Sequence, residues 1–224
     1  MKQRIPLVVV AGPTASGKTD MAIHLAKIFD GEIINADSMQ VYKELNIGSA
    51  KPSMEERQGV PHHMMDVVSV TNEYTVSQYE RQATKAIKDV YNSGKLSIIC
   101  GGTGLYIRSL LYRMSFSNAI SDETIRRELT EYVNKNGKLA LHMTLSKVDK
   151  KTASRLHPND VKRVIRALEV YCITGIPFSQ QDNSGKFEKK DIYRFILIGL
   201  QWPRQELVKR IKKRIEFMVD NGLL

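Results

Sequence analysis

Cysteine is almost missing from this chain. Cys100 and Cys172 are the two it has, too few and too unpatterned for a disulfide framework, so a reducing, cytoplasmic setting is expected. Both read as small buried hydrophobes. No apolar run is longer than a strand, and nothing reads as a signal peptide or a membrane span, so no membrane association is expected. The paired Asp-Glu that ends a hydrophobic strand in many ATPases is also missing, because the third strand ends in Cys100-Gly101-Gly102. That counts against a motor or a water-activating ATPase. His62 and His63 are adjacent, the wrong spacing for a shared tetrahedral zinc, and no Cys or carboxylate cluster supports one. They are expected in a loop or a substrate wall. The single tryptophan, Trp202, precedes Pro203 and is expected to pack rather than to stack on a base.

The 224 residues are 42% apolar, enough for one α/β core and a small accessory region. The formal net charge is +10, and it is uneven. Residues 1–150 carry 19 Lys and Arg against 16 Asp and Glu, whereas residues 151–224 carry 15 against 8. A local positive excess suits a large polyanion, and ordinary solubility charge accounts for it equally well.

The most specific motif is at the N-terminal end. Gly12-Pro13-Thr14-Ala15-Ser16-Gly17-Lys18-Thr19 is a complete G-x-x-x-x-G-K-[ST] phosphate loop. A β-branched run, Leu7 to Ala11, precedes it as a buried strand. Thr19 to Phe29 follows as a helix with Met21, Leu25 and Ile28 at helical spacing. The loop's N–H groups and the helix N-terminus form a site for a di- or triphosphate. Lys18 is expected to neutralise terminal phosphate oxygens, and the Thr19 hydroxyl to ligate Mg²⁺.

Strands and helices then alternate. Glu32 to Ala36 reads as a strand ending at Asp37-Ser38, and a glycine- and proline-marked loop region follows. Thr75 to Tyr91 reads as a helix with Val76, Tyr79, Ala83, Ala86, Ile87 and Val90 on one stripe. Leu96 to Cys100 is a third strand, leading through Gly101-Gly102-Thr103-Gly104 into a helix that ends near Leu111. This order argues for a parallel, doubly wound α/β sheet. From about Ser115 to Phe187 no strand is evident. Helices are expected from Ser121-Asp122 to Asn136-Gly137, then over Leu139 to Lys147, Lys150 to Leu156 and Asn159 to Thr174. Tyr193 to Ile198 returns to strand and Arg204 to Val219 to helix. The division expected is a core over 1–114, an all-helical insertion over 115–190, and core again over 191–224. Two leucines after Asn221-Gly222 make a poor terminus, so further chain is expected beyond Leu224.

In open α/β sheets ligands bind beyond the carboxyl ends of the strands. Gly12, Asp37 and Gly101 all follow strands and so can line one pocket. Asp37 has three possible roles there: holding Mg²⁺, acting as a general base, or capping a turn. Two helices repel themselves. Lys162 and Arg166 are i,i+4 neighbours with Arg163 beside them, on a helix whose Val161, Val164, Ile165 and Leu168 face a core. Lys209/Lys213 and Arg210/Arg214 repeat the pattern on a helix with Ile211, Ile215 and Met218 as its buried stripe. Bound anions and solvated basic faces both account for this.

Taken together, the phosphate loop, Asp37-Ser38-Met39-Gln40-Val41-Tyr42, Ile47 to Pro52, Pro61-His62-His63, Gly101 to Tyr106, His157-Pro158-Asn159-Asp160 and Arg210…Arg214 resemble the tRNA dimethylallyltransferase family, in order and across the chain. The resemblance implies a P-loop nucleoside-triphosphatase-like core with helices on both faces and a helical insertion that grips the tRNA anticodon arm. It implies transfer of a dimethylallyl group from dimethylallyl diphosphate to the N6 amine of the adenosine 3′ of the anticodon, with Mg²⁺ as cofactor and a monomer as the acting state. By position, Asp37 would be the general base and Thr103 would contact the reacting groups. Gly12 to Thr19 and Arg214 would hold the diphosphate. Asp37 to Gln40 (with Ser38 and Met39), Thr103, Arg126, and Lys162 to Arg166 (with Arg163, Val164 and Ile165) would touch tRNA. The rival readings are a P-loop small-molecule kinase, a prenyltransferase acting on AMP, and a non-catalytic nucleotide-gated RNA-binding module.

Overall fold

The computed structural model describes residues 4–114, 122–181 and 188–224. In chain order the elements are β1 (Ile5–Ala11), α1 (Lys18–Ile28), β2 (Gly31–Asn35), β3 (His62–His63), α2 (Val76–Asn92), β4 (Leu96–Gly101) and α3 (Gly104–Leu111). Then come α4 (Glu123–Val148), α5 (Lys150–Ala153), α6 (Val161–Thr174), α7 (Phe178–Gln181), β5 (Tyr193–Gly199) and α8 (Arg204–Asp220). They form two compact units: Met1–Arg113 with Glu188–Leu224, and Met114–Phe187.

The first unit is an α/β layer structure around a five-stranded, all-parallel sheet in the order β3-β2-β4-β1-β5. Side chains that alternate along β1 feed two cores. Leu7 and Val9 join Ile34, Ile99, Tyr79, Ile87 and Leu110, which puts α2 and α3 on one face. Val10 joins Ile33, Ile98, Ala22, Ile23 and Ala26, which puts α1 on the other. The face of α1 that meets the sheet is therefore Ala22-Ile23-Ala26; Met21 and Ile28 are exposed. The two alanines let the helix lie close to the strands, so the larger residues turn outward. A Thr75–Gln78 capping box starts α2, and Tyr79, Ala83, Ile87 and Val90 form its buried stripe.

The second unit buries Leu141, Leu145, Ala153, Val164, Ala167 and Leu168. The Asp122 carboxylate caps α4 by accepting from the N–H groups of Thr124 and Ile125. Helical geometry breaks at Gly137, where φ is +86°, so α4 is two helices in succession. Between Asp122 and Gln181 the described residues contain no strand. Ser121, read as part of the helix start, lies outside the described residues.

Three expectations are corrected. Of the loop or substrate wall expected for His62 and His63, the loop is corrected: they form β3 and pair in parallel with Ile33 and Ile34. Cys172 is exposed, unlike buried Cys100, because it lies in the last turn of α6, past Val170, the final buried residue of that helix. On α8 only Met218 is buried and Ile215 is exposed. The partly buried face runs through Arg210, Ile211 and Arg214 instead, so two cations lie on the side where an apolar stripe was expected.

One backbone approach fixes the sheet's ligand end. A Cβ added at Gly101 would lie 2.2 Å from the Ala36 carbonyl oxygen. The Ala36 N–H donates to the Cys100 carbonyl at 2.7 Å, and the Thr103 N–H donates to the Ala36 carbonyl at 3.0 Å. Gly101→Ala is expected to destabilise the protein by about 3 kcal/mol, at the upper end of overpacking costs because backbone must move. Urea denaturation monitored by circular dichroism would measure it.

Candidate active site

The phosphate loop turns between β1 and α1. Gly17 has φ +86°, a left-handed conformation that favours glycine, and it starts α1. The loop borders a cavity of about 490 Å³ lined by Ala15, Lys18, Thr19, Arg210, Lys213 and Arg214 among others. A narrower recess of about 80 Å³ shares Lys18, Thr19, Ala50 and Arg214, and adds Thr14, Asp37, Gln40, His62, Cys100 and Gly102. Asp37, the loop lysine and Arg214, which lies nearly 180 residues further along the chain, thus surround one space.

Two half-buried cations, Lys18 and Arg214, face this space. Burial holds Lys18 below the ordinary lysine range; nearby Arg214 pushes the same way, and the Asp37 carboxylate offsets only part of this. Its Nζ donates to the Pro13 carbonyl at 2.6 Å. Burial likewise lowers Arg214 from its usual value, against the pull of Asp37. Arg214 Nη2 donates to the Ser49 carbonyl at 3.1 Å, while its buried Nε has no hydrogen-bond partner among the described residues. The buried Ser16 hydroxyl has none either. Unpartnered buried donors are costly, and what these two lack is a hydrogen-bond acceptor.

Asp37 follows β2 and is held by its neighbours. Its Oδ1 accepts from the Met39 N–H at 2.9 Å. Just before it, the Asn35 carbonyl accepts from the buried Tyr79 hydroxyl at 2.8 Å, and the Asn35 amide donates to the Met64 carbonyl at 3.1 Å. The Tyr79 ring stacks on Tyr106 at 3.8 Å. Thr103 does not line either cavity. Its Oγ1 accepts from the Ser38 N–H at 2.9 Å and lies 3.2 Å from the Ser38 hydroxyl, so it braces the turn that carries Asp37. Met39 is exposed. Gln40 is buried and its amide donates to the Ser49 and Ala50 carbonyls, each at 3.1 Å. Gly12 and Pro13 belong to the loop but line neither cavity.

His62 lines the recess, and its Nδ1 pairs with the Val60 carbonyl at 2.8 Å. Burial lowers its pKa, so it is neutral at pH 7. Its neighbour His63 meets Glu32 at 2.6 Å, and Lys95 meets the same carboxylate at 2.8 Å. This trio pins the short strand β3 beside β2. Burial alone would raise the Glu32 pKa, but the hydrogen bonds from Lys95 and His63 outweigh it and hold the carboxyl below the usual range.

In the helical unit, Lys162 and Arg163 are exposed, and Arg163 pairs with Asp160 at 3.1 Å. Val164 is fully buried, so its side chain faces the unit's core and not a ligand; Ile165 packs against the same core. Sequence reasoning missed Glu169. This fully buried carboxylate binds Arg126 at 2.8 Å and Arg166 at 2.6 Å, and accepts from the Asp122 N–H at 2.9 Å. Arg166 therefore carries its own counter-charge, which removes much of the supposed self-repulsion of α6. The i,i+3 spacing of Arg166 and Glu169 was the available signal. Arg210, read in the sequence as one of a like-charge pair, and Trp202, expected to pack, are both bonded to the phosphate loop, a contact the sequence did not show. The Trp-Pro pair just before a basic helix was the hint.

The family model described as IPP transferase matches residues 40–224. A tRNA dimethylallyltransferase of Thermoanaerobacter sp. is 46% identical over 221 residues, which is 98% of this chain and 70% of that protein. The tRNA dimethylallyltransferase 2 of Geotalea uraniireducens is 48% identical over 223 residues, 100% of this chain and 71% of that one. Among solved structures, the full-length tRNA isopentenylpyrophosphate transferase of Bacillus halodurans is similar with a TM-score of 0.64 and 39% identity, over 99% of this chain and 68% of that chain. A eukaryotic dimethylallyltransferase acting on tRNA is similar with a TM-score of 0.81 and 34% identity, over 97% of this chain and 54% of that chain.

The Glu32 contacts generate a pH prediction. A carboxyl whose folded pKa is depressed contributes stability that is present above its unfolded pKa and is lost as pH falls through the folded one. Glu32→Gln is expected to lower the unfolding midpoint at pH 7, and the deficit should shrink below about pH 4, where the unfolded carboxyl protonates. Thermal unfolding across pH checks this.

Proposed function

Because the chain belongs to the IPP transferase family, enzymes that transfer a prenyl group, we propose that it moves a dimethylallyl group from dimethylallyl diphosphate to the N6 amine of the adenosine 3′ of the anticodon in tRNA. The observation that carries this reading is the grouping of Asp37, Lys18, Thr19 and Arg214 around one recess beside the phosphate loop. The loop there holds a leaving group and not a phosphoryl donor.

An adenine amine is a weak nucleophile, because its lone pair is delocalised into the ring. As its nitrogen bonds to the allylic carbon, the carbon–oxygen bond to diphosphate breaks and the oxygen keeps the electron pair. The N6 proton passes to the Asp37 carboxylate. Lys18, the loop N–H groups and Arg214 take up the charge that develops on the diphosphate. Burial holds Lys18 and Arg214 below their ordinary pKa, and a bound anion favours the charged form of each. Thr103 braces the Asp37 turn through Ser38, which keeps the base aimed. The target base leaves its stack at a cost of a few kcal/mol, and Lys162, Arg163 and the Arg126–Glu169–Arg166 cluster grip the RNA backbone to offset that.

Mg²⁺ fits the residues present. No group of three or more His, Cys, Asp or Glu among the described residues encloses a metal. The donor that exists, the Thr19 hydroxyl beside Lys18 on the loop, suits an ion that takes its remaining ligands from diphosphate and water. When bound, it neutralises diphosphate oxygens.

Incubating the full chain with labelled dimethylallyl diphosphate, Mg²⁺ and tRNA should place label on tRNA adenosine. Label on added AMP instead would favour the adenylate reading, and phosphorylation of an acceptor by ATP would favour a kinase. Asp37→Asn should slow single-turnover transfer by about 10²–10⁴-fold, the usual contribution of a general base, while tRNA affinity measured by filter binding changes little. Lys162→Ala with Arg163→Ala should weaken tRNA binding roughly tenfold or more, since each lost phosphate contact removes a favourable electrostatic term, and should leave diphosphate affinity unchanged. These two cations are the informative pair because Arg166 also holds a buried carboxylate.

A further inference from the structure

We infer that Arg210 and Trp202 form a clamp that positions the phosphate loop, and that diphosphate affinity depends on it; this rests on the reading that the loop holds diphosphate. In an anion-binding loop the N–H groups attract the ligand and the carbonyl oxygens repel it. Two successive carbonyls of this loop are capped from the β5–α8 segment. Arg210 Nε donates to the Ala15 carbonyl at 2.7 Å, and Trp202 Nε1 donates to the Ser16 carbonyl at 3.0 Å. The two clamping side chains also hold each other, with the Arg210 guanidinium 4.5 Å from the centre of the indole ring, a cation–π distance. The segment is tied to β1 just before the loop, where the Leu200 N–H donates to the Ala11 carbonyl at 2.8 Å.

The clamped loop is also strained. Ala15 has φ +62°, a left-handed conformation that costs a residue with a Cβ about 1 kcal/mol or more. Its peptide would relax toward other conformations without a partner on its carbonyl. Arg210 supplies that partner with a directed guanidinium N–H, which a lysine ammonium on a flexible stem does not reproduce. Arg210 thus differs in its task from Arg214, which reaches the Ser49 carbonyl and borders the recess beside Asp37. Arg210 and Trp202 are positioning residues: they act on the ligand through the loop.

The test uses inorganic diphosphate with Mg²⁺ as the probe and the full chain as the protein. Trp202 is the only tryptophan, so its fluorescence should change saturably when wild type is titrated. Calorimetry then compares variants. Arg210→Lys keeps the charge but loses the Nε donor, and Trp202→Phe keeps a ring but loses the N–H. Each should raise the Kd for diphosphate about fivefold, as for one net hydrogen bond, and the double variant should lose less than the product because the two support one another. Hydrogen exchange of the amides from Ser16 to Thr19 should be faster in both ligand-free variants. Wild-type affinity in Arg210→Lys would reduce Arg210 to a charge and overturn the clamp. So would wild-type affinity in Trp202→Phe, or unchanged amide exchange in either. If wild type binds no diphosphate, the leaving-group reading falls, and the exchange comparison still decides the clamp.

Discussion

The whole ligand end of the sheet depends on how closely two backbones meet where β2 and β4 finish. Gly101 has no side chain, so the chain leaving β4 lies directly against Ala36 and exchanges hydrogen bonds with it. That contact fixes the residue that follows, Asp37, relative to the glycine-rich turn before α3. Tyr79, buried in the core and stacked on Tyr106, locks the same corner from behind through the Asn35 carbonyl. The Asp37 carboxylate, the base of the proposed reaction, thereby follows main chain that is hydrogen-bonded on both sides.

The opposite wall is built differently. It is cationic and incompletely satisfied: Lys18 and Arg214 are desolvated, and the Ser16 hydroxyl and Arg214 Nε are buried without partners among the described residues. Buried donors without partners cost folding free energy, and the proposed diphosphate would return part of it on binding. On the proposed mechanism the two walls divide the chemistry: the first presents the base, and the charged one receives the departing group.

Much of this was legible in the sequence, for local reasons. The phosphate loop is a contiguous motif, the strands are continuous apolar runs, and the Thr75–Gln78 box and Asp122 cap announce helix starts within four residues. What stayed hidden depends on distant partners. The sheet-facing side of α1 uses two alanines, which a search for large apolar residues passes over. On α8, contacts with the phosphate loop for Arg210 and with the Ser49 carbonyl for Arg214 make both inward residues, contrary to any hydrophobic pattern. The β3 strand is two residues long and owes its position to Glu32 and Lys95, 31 and 63 positions apart from their partners. Glu169 looks like any helix acid until the fold brings Arg126 to it.

That buried glutamate also changes what the helical unit offers to a nucleic acid. Arg126 and Arg166 share one carboxylate, so the trio carries a single net positive charge rather than two. Condensed counterions are displaced in proportion to the phosphate charge that a protein neutralises. If this unit grips tRNA as proposed, the cluster adds less to ionic-strength sensitivity than a count of its arginines implies. In exchange, Glu169 holds both guanidinium groups, which on that proposal favours one backbone shape over indiscriminate attraction to any polyanion.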